Sequence, residues 1–279
     1  MNVHATELLS GVRTTLNYFA SSGKSLFSYV RDPIAGGAAG CCDVASIPGV
    51  FIRDARPISK QLSLDEQGFE LWQHQTKVTD FYDEKQIANI YHDEIEKLLL
   101  RVTGARKVLI FDHTIHSVPK FLDGVRGMRE PTRRVHNDYT ATLGKRRLRD
   151  HLDPEEADVR LQRRFAEVKV WRPIRDPLED APLAVCDARS ISEKEVIASD
   201  LIYASNDGGT CSFSFSPNHR WFYFPRMRRD EVLLIKCHDS ADDGTARFTA
   251  HSSFDDPTVP QNALPHESVE VRALVFFGR

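Results

Sequence analysis

Two residues in the middle of the chain have the types and the spacing of a metal-binding motif. His136 and Asp138 are separated by Asn137 alone. On a strand, residues two positions apart point to the same face, so the imidazole and the carboxylate would project together. These are two of the three ligands in the facial triad of two histidines and one carboxylate, which binds non-haem Fe(II) and leaves coordination positions open. A histidine and an aspartate exposed on a turn are the alternative interpretation.

The third ligand of a triad must come from a strand that returns beside His136. We favour His251, which ends a predicted strand over residues 246–251. The competing candidate is His219, which lies at a predicted strand start but leaves fewer strands between itself and His136. For His238, at another predicted strand end, a capping or turn role is expected.

Arg272 lies on the last predicted strand, one strand after His251. A guanidinium stays charged and can bind a carboxylate through two parallel hydrogen bonds. The neighbouring residues are apolar, and burial of an unpaired charge among them is costly in free energy. The position therefore suits a cation that binds the distal carboxylate of 2-oxoglutarate. A solvent-facing arginine on an edge strand is the alternative.

Strand patterns dominate the chain after residue 165 and would position these side chains. Short runs of apolar, β-branched and aromatic residues are separated by turn signals, and no helix is predicted between them. This spacing predicts an antiparallel sandwich or barrel. The predicted strands cover residues 49–52, 107–111, 168–171, 183–187, 210–216, 221–224, 231–236, 246–251 and 268–277.

Helical patterns are concentrated in the first part of the chain. The clearest helix has Asp83 as its candidate N-cap and Gly104 as its stop signal. The predicted helices cover residues 5–19, 84–102, 142–151 and 154–165. We expect a single domain over residues 1–279, in which residues 1–104 form a helical and irregular N-terminal layer and residues 105–279 form the β core.

Composition excludes several classes of protein. The chain has 279 residues, 28% of them charged, and a formal net charge of -3. The chain therefore has no net positive charge that would attract nucleic acid or a membrane surface. A local arginine-rich stretch is interleaved with acidic residues and is interpreted as a solvated helical face; its arginines are Arg146, Arg147, Arg149, Arg160, Arg163 and Arg164. No apolar run reaches membrane-spanning length, and neither a dinucleotide-binding motif nor a P-loop is present.

The five cysteines argue against a disulfide framework. Their number is odd and none forms a CxxC pair, which is typical of a reducing compartment. The N-terminus lacks the pattern of a secretory signal, so we expect a soluble cytoplasmic protein. Cys186 beside Asp187 could suggest a nucleophile, but a cysteine after an apolar strand is more typical of a small buried hydrophobe.

Ten short segments, in order along most of the chain, carry a resemblance to a known family. They are LNYF (16–19), IRDARP (52–57), FDHTI (111–115), VHNDYT (135–140), VWRPI (170–174), PLAVCDARS (182–190), HRWFYFPRM (219–227), DEVLLIKCHDS (230–240), HSSFDDP (251–257) and ESVEVRALVFF (267–277). With these motifs the chain resembles the AsaB-like, or CmcJ-like, hydroxylase/desaturases. The ordered set is far more specific than any single motif.

The resemblance implies a mainly β fold, a double-stranded β-helix of the jelly-roll, cupin-like type. It implies dependence on Fe(II), 2-oxoglutarate and O₂, with His136, Asp138 and His251 as metal ligands and Arg272 as the 2-oxoglutarate anchor. One feature departs from related oxygenases, because Leu274 occupies the position where an Arg-x-Ser signature has serine. Ser268 and Glu270 share the strand face of Arg272 instead.

Three further residues are candidates for the remaining contacts. Tyr223 is a candidate second anchor for 2-oxoglutarate, since a phenol can donate to a carboxylate, but it could equally be a core residue. Trp171 and Arg172 are candidate substrate-binding residues, and a tryptophan packed under the sheet is the alternative for Trp171.

The implied activity is oxidation of a small specialised metabolite, with an amino-acid-derived or peptide-derived compound expected. The outcome would be hydroxylation, desaturation or cyclisation, with release of succinate and CO₂. Two alternatives stay open: a cupin-like iron enzyme that does not use 2-oxoglutarate, and a non-catalytic jelly-roll binding module.

Overall fold

The computed structural model describes residues 9–20, 27–29, 44–138, 141–202 and 207–278. Over these ranges the chain forms two β-sheets with a few helices. The strands are β1 (Gly11–Phe19), β2 (Phe27–Tyr29), β3 (Val44–Asp54), β4 (Phe69–Gln73), β5 (Lys107–Ser117), β6 (His136–Asn137), β7 (Phe165–Pro173), β8 (Leu183–Cys186), β9 (Val196–Ile202), β10 (Asp207–Phe213), β11 (Trp221–Tyr223), β12 (Glu231–Asp239), β13 (His251–Ser253) and β14 (Glu267–Phe276). Helix α1 comprises Glu84–Gln86, a π-helical turn Ile87–Tyr91, and His92–Thr103, and it is followed by α2 (Val118–Leu122), α3 (Ala141–His151) and α4 (Pro154–Leu161).

The two sheets pack face to face as a sandwich, and the predicted mainly β architecture is confirmed. One sheet has nine strands in the order β1-β3-β11-β8-β13-β6-β10-β9-β2, and the other has five in the order β4-β12-β7-β14-β5. Neighbouring strands are antiparallel except for the pairs β3–β11 and β2–β9. Trp171 and Leu233 of the smaller sheet share a buried cluster with Val185 and Phe222 of the larger one. This cluster joins the inner faces of the sheets.

The helix predicted over residues 5–19 is wrong where the structure describes the chain. Residues 11–19 form β1, which pairs with β3, and residues 5–8 lie outside the described residues. A shift of register between Thr14 and Leu16 interrupts the two-residue period of the strand, so its buried side chains imitate helical spacing. Gly11 fits the pairing because a Cβ there would lie 2.2 Å from the carbonyl oxygen of Ile52.

Over residues 9–20, 27–29 and 44–104, the predicted helical N-terminal layer is represented by α1 and a 3₁₀ helix at Arg56–Gln61. The predicted ends of α1 are confirmed: the Asp83 side chain accepts a hydrogen bond from the Lys85 amide, and Gly104 ends the helix with φ at 67°. Gln86, three residues after Asp83, accepts from the Thr79 amide at 2.8 Å. The apolar face of α1 packs on the outer face of the five-stranded sheet. The described strands of the first third, β1, β2, β3 and β4, belong to the two sheets.

Most predicted strands and helices are present with shifted ends, but the strand at residues 246–251 is wrong. Only His251–Ser253 is a strand there. The Thr249 amide donates to Lys236 and the Ala250 carbonyl accepts from Cys186, so consecutive residues bond to two different strands instead of one ladder. The last predicted helix ends at Leu161 because Phe165 begins β7. Among the described residues, no helix is long and apolar enough to cross a membrane.

Candidate metal centre

His136 and His251 face each other on neighbouring strands. β6 lies between β13 and β10, and His251 of β13 is the direct antiparallel partner of His136. Residues opposite each other in such a pair point to the same face of the sheet. Their ring centroids are 4.4 Å apart. The His136 Nδ1 atom is 2.7 Å from the carbonyl oxygen of Arg134, which leaves Nε2 directed at the space between the sheets.

Asp138 follows β6 directly, and its two carboxylate oxygens have different neighbours. Oδ1 lies 3.4 Å from His136 Nε2 and 3.7 Å from His251 Nε2. Oδ2 lies 2.7 Å from the Lys169 ammonium and 3.0 Å from Arg272 Nε. Ligand atoms of the two histidines and Asp138 all lie within 4.8 Å of one another. Two imidazole nitrogens and one carboxylate oxygen that converge in this way fit a facial metal triad.

The electrostatics give these groups the protonation states that a metal requires. Burial opposes ionisation of Asp138, but the Lys169 ammonium and the Arg272 guanidinium outweigh it and hold its pKa well below the ordinary value. Burial, with Lys169 and His136 nearby, lowers the pKa of His251 to about 3. Asp138 is therefore an anion and His251 a neutral imidazole at neutral pH, as metal coordination needs.

The segment before His136 is held by the N-terminal strand. The amide of Val135 donates to the Asn17 carbonyl at 2.8 Å, and the Asn17 side-chain amide donates to the Arg133 carbonyl at 2.9 Å. Asn17 belongs to β1, at the far edge of the nine-stranded sheet in strand order. The larger sheet thus curls so that its edge strand supports the short metal-binding strand.

Lys169 is part of this centre, and the sequence reasoning missed it. It lies on β7, its side chain is 3% exposed, and its ammonium contacts Asp138 and Glu270 Oε2, the latter at 3.1 Å. It also donates to His251 Nε2 at 3.0 Å. The available signal was the pair Glu167 and Lys169 in a strand whose other members are mostly apolar, since a lysine is almost never fully buried unless it is paired.

Arg272 is beside the metal ligands, on the strand next to Lys169. Its Nε atom contacts Asp138, and one terminal nitrogen lies 2.7 Å from Asp112 and 3.1 Å from Thr114. Its other terminal nitrogen bonds to Glu270. Burial opposes ionisation of Glu270, but Arg272 and Lys169 hold its pKa well below the ordinary value. Two cations and two carboxylates thus form one buried network.

The other predicted contact residues divide into two groups. Trp171 shares the inner face of β7 with Lys169 and is paired across the sheet with Glu270. Tyr223 is paired with Ala184, whereas the adjacent Val185 is paired with His251, so the Tyr223 side chain points to the opposite face of that sheet.

Arg172 is likewise on the outer side of its strand. Its guanidinium donates to the Tyr91 hydroxyl at 2.9 Å and to the His74 carbonyl at 3.0 Å. These partners tie β7 to helix α1 and to the segment after β4. The structure therefore brings Trp171 towards the centre and does not bring Tyr223 or Arg172 there.

The rival ligand His219 belongs to a separate hydrogen-bond chain. The Trp221 indole donates to the Tyr18 hydroxyl at 2.8 Å, and that hydroxyl lies 2.9 Å from His219 Nδ1. His219 Nε2 then lies 3.0 Å from Glu195 Oε2. The chain ends at a carboxylate, which accepts only, so Tyr18 donates to His219 and His219 donates to Glu195. Both ring nitrogens of His219 are occupied away from the candidate centre.

Replacement of His219 by Ala is expected to lower stability and to leave metal binding unchanged. The change leaves the Tyr18 hydroxyl without its acceptor and removes one donor to Glu195, which keeps the Ser192 amide, at a cost of about 1–3 kcal/mol. Urea unfolding measures the free energy of unfolding, and calorimetric titration with Co(II) measures metal binding. A variant that unfolds normally but no longer binds the ion would make His219 a ligand and would contradict the geometry.

His238 lies inside β12, so the expected capping or turn role is wrong. Its ring packs on Phe165 and against Gly144 of α3, where an added Cβ would lie 2.6 Å from the ring. The cross-strand partner of His238 is Glu167. Neither carboxylate oxygen of Glu167 has a hydrogen-bond partner among the described residues. Burial, with Asp138 nearby, raises the pKa of Glu167 to about 8.

Glu167 is therefore expected to make stability fall as the pH rises. A carboxyl whose folded pKa lies above its unfolded value favours the folded state fully below the unfolded pKa, and this contribution is lost as the pH rises from 4.5 to about 8. Glu167→Gln mimics the protonated form at every pH. Below pH 4.5 it should unfold like the parent, and above pH 8 it should be more stable by about 5 kcal/mol.

The measurement for Glu167 is urea unfolding at a series of pH values without added metal. The exposed Glu155 of α4 provides the matched control, because Glu155→Gln changes the same charge without a buried carboxyl. A difference between Glu167→Gln and the parent that is constant across the series would show that Glu167 is ionised in the folded protein.

Comparisons with known proteins agree with this geometry. A family model described as an oxidoreductase/YMDC permease-like domain matches residues 16–276. The hydroxylase/desaturase efuI of Hormonema carpetanum is 32% identical over 95% of each chain. The hydroxylase/desaturase asaB of Aspergillus flavus is 40% identical over 47% of this chain and 63% of its own.

A third relative supplies both a sequence and a solved structure. The Fe(II)/2-oxoglutarate-dependent dioxygenase nvfI of Aspergillus novofumigatus is 35% identical over 82% of this chain and 84% of its own. The structure of the iron and alpha-ketoglutarate-dependent endoperoxidase NvfI has a TM-score of 0.83 at 28% identity, over 97% of this chain and 99% of that one. Fold, motif order and relatives agree, and the chain belongs to the AsaB-like family of Fe(II)/2-oxoglutarate-dependent oxygenases.

Proposed function

We propose that this protein uses Fe(II), 2-oxoglutarate and O₂ to hydroxylate, desaturate or cyclise a small specialised metabolite. The observation that carries the proposal is the convergence of His136, Asp138 and His251 within 4.8 Å in a chain of this family. These three side chains would hold the iron. When bound, the iron would let O₂ oxidise 2-oxoglutarate and the substrate together. Each turnover would consume one O₂, one 2-oxoglutarate and one substrate and release succinate, which takes up one oxygen atom, and CO₂. The second oxygen atom would enter the substrate as a hydroxyl group or, in desaturation or cyclisation, leave as water.

The protein's own part is to orient the ligands and bind the co-substrate. Lys169 and Arg272 hold Oδ2 of Asp138, so Oδ1 is left for the metal. Such contacts behind a ligand fix its orientation and its affinity for the ion. Arg272 would pair with the distal carboxylate of 2-oxoglutarate, and the adjacent Lys169 is a second cation within the same network. Tyr223 lies on the other face of its sheet, so Lys169 takes its place as the proposed second anchor for 2-oxoglutarate.

Substrate would approach from the side of the centre that is open to solvent. The side chains of His136, Asp138 and Arg272 are each 10–12% exposed, whereas those of His251 and Lys169 are 2–3% exposed. Asp112, which contacts Arg272, is half-exposed. The open side therefore lies along β5 and the end of β6, and the buried side carries Lys169 and His251. Trp171 lies deeper, between the sheets.

The relatives indicate the class of reaction. The named relatives are a pair of hydroxylase/desaturases and an endoperoxidase, which suggests that the scaffold accepts more than one oxidative outcome. A small natural product, with an amino-acid-derived or terpenoid skeleton, is the proposed substrate. A cytoplasmic location is proposed as well, and it is supported by the free, buried thiols of Cys186 and Cys237; Cys41 and Cys42 lie outside the described residues.

The test is reconstitution with Fe(II) and 2-oxoglutarate without oxygen, addition of a panel of amino-acid-derived and terpenoid metabolites, and admission of O₂. Succinate is then counted against oxidised product, and one succinate per product is expected. Product without succinate would favour a cupin-like iron enzyme that does not use 2-oxoglutarate. Failure of the purified protein to bind Fe(II) would favour a non-catalytic binding module.

A further inference from the structure

We propose that Lys169 is a positioning residue that links the metal site to the co-substrate site: it competes with the metal ion for His251 and turns to the co-substrate carboxylate once the ion is bound. This inference rests on the proposed function, because it concerns the same ion and the same co-substrate. Beyond its pairing with Asp138 and Glu270, Lys169 would influence the order in which the ion and 2-oxoglutarate bind and the affinity of each.

The first step is a conflict over one lone pair. The Lys169 ammonium lies 3.0 Å from His251 Nε2, and an ammonium can only donate. Nε2 must therefore be the accepting nitrogen of a neutral ring. The same atom is the one that faces Asp138 Oδ1, at 3.7 Å, and so belongs to the triad. One lone pair cannot serve both Lys169 and a metal ion, so coordination replaces the hydrogen bond.

The second step is the freedom of Lys169 to move. A divalent ion on the triad repels the Lys169 ammonium. The flexible four-carbon stem of lysine allows this ammonium to move away from His251. The second carboxylate within reach is Glu270, whose Oε2 lies 3.1 Å away. Arg272, fixed by Asp112, Thr114 and Glu270, has less freedom. Lys169 is thus the cation that responds to the ion.

The third step is a count of charge. Asp138 and Glu270 contribute two negative charges, and Lys169 and Arg272 contribute two positive charges, so the buried network is neutral. A divalent ion on the triad changes this sum from 0 to +2. 2-Oxoglutarate is a dianion and restores the sum to 0. Asp112, also in contact with Arg272, is half-exposed and screened by solvent. Binding of the ion therefore gives the site the net positive charge that attracts the dianionic 2-oxoglutarate.

The experiment compares the parent with Lys169→Met by calorimetric titration. Co(II) is titrated with and without 2-oxoglutarate, and 2-oxoglutarate is titrated with and without Co(II). In Lys169→Met, Co(II) alone should bind about tenfold more tightly, and the factor by which Co(II) strengthens 2-oxoglutarate binding should shrink at least about tenfold, within the usual range for coupled sites. Direct contact between ion and co-substrate is common to both proteins and cancels in the comparison.

Three further variants serve as a rescue, a control and a substitute for Lys169→Met. Lys169→Arg retains the charge and should restore much of the coupling. Lys236→Met is the matched control, because Lys236 on β12 is equally buried but pairs with Asp65 and Asp239; it should lose stability and keep both affinities. Lys169→Gln provides the same test should the Met variant not fold.

The outcomes separate this inference from the proposed function. A parent protein that binds neither Co(II) nor 2-oxoglutarate would refute the proposed function. A parent that binds both, with unchanged Co(II) affinity and unchanged coupling in the folded Lys169→Met or Lys169→Gln variant, would refute the role of Lys169 alone. Tighter Co(II) binding and weaker coupling in the variant, with rescue by Arg, would establish it.

Discussion

His136→Ala is expected to reduce metal-dependent turnover below about 1% of the parent rate, because loss of a direct ligand exceeds the ten- to hundredfold cost of losing a residue behind one. The variant should keep the fold, since the ring's hydrogen bond outside the triad is to the Arg134 carbonyl and Asp138 retains Lys169 and Arg272 as partners. Succinate release at saturating Fe(II) and 2-oxoglutarate measures the effect.

Asp138→Ala should reach the same low activity by a different route. Lys169 and Arg272 would lose a shared carboxylate, and an uncompensated buried charge costs about 3–5 kcal/mol. Lower stability should therefore accompany the loss of activity. His219→Ala, a change of the same residue type away from the centre, is the control for His136→Ala. Turnover that survives either ligand substitution would contradict the triad.

Arg272→Leu is expected to raise the KM for 2-oxoglutarate by about a hundredfold, the usual consequence of deleting one partner of a buried charge pair. The turnover number should fall too, because Asp138 loses the contact that keeps Oδ2 away from the ion. Initial rates at varied 2-oxoglutarate and fixed, saturating Fe(II) separate the two effects.

An arginine on the neighbouring strand β7 supplies a control for Arg272. Arg172 is a buried arginine on β7, and its partners Tyr91 and the His74 carbonyl lie on the outer face. Arg172→Leu should lower the free energy of unfolding and leave the KM for 2-oxoglutarate unchanged. An unchanged KM in Arg272→Leu, or a raised KM in Arg172→Leu, would overturn the assignment of these two faces.

Sequence alone could predict the parts of the centre that lie in local patterns. The spacing of His136 and Asp138 is visible in three residues, and the strand-rich second half follows from alternation and turn signals. His251 was chosen by chain order, yet the strand assumed to carry it was misplaced. Residues 249 and 250 bond to two different strands, and such pairing is decided by distant parts of the chain.

The remaining errors have the same origin in tertiary structure. Lys169 was missed, although it lies in a mostly apolar strand, because its partners Asp138 and Glu270 are far away in sequence. Tyr223 and Arg172 are one residue away from inward-facing positions, and a shift of one residue reverses the face of a strand. In β1, the irregular register made a strand look helical.

The support of His136 by Asn17 has a consequence for synthesis on the ribosome. The contacted residues are separated by 116 positions, so at 5–20 residues per second β1 waits roughly 6–23 s for the segment that it supports. His251 and Arg272 emerge later still. The iron centre therefore forms only after nearly the whole described chain has been translated, and during that delay the edge of β1 that does not pair with β3 is available to a chaperone. Metal loading follows translation and does not accompany it.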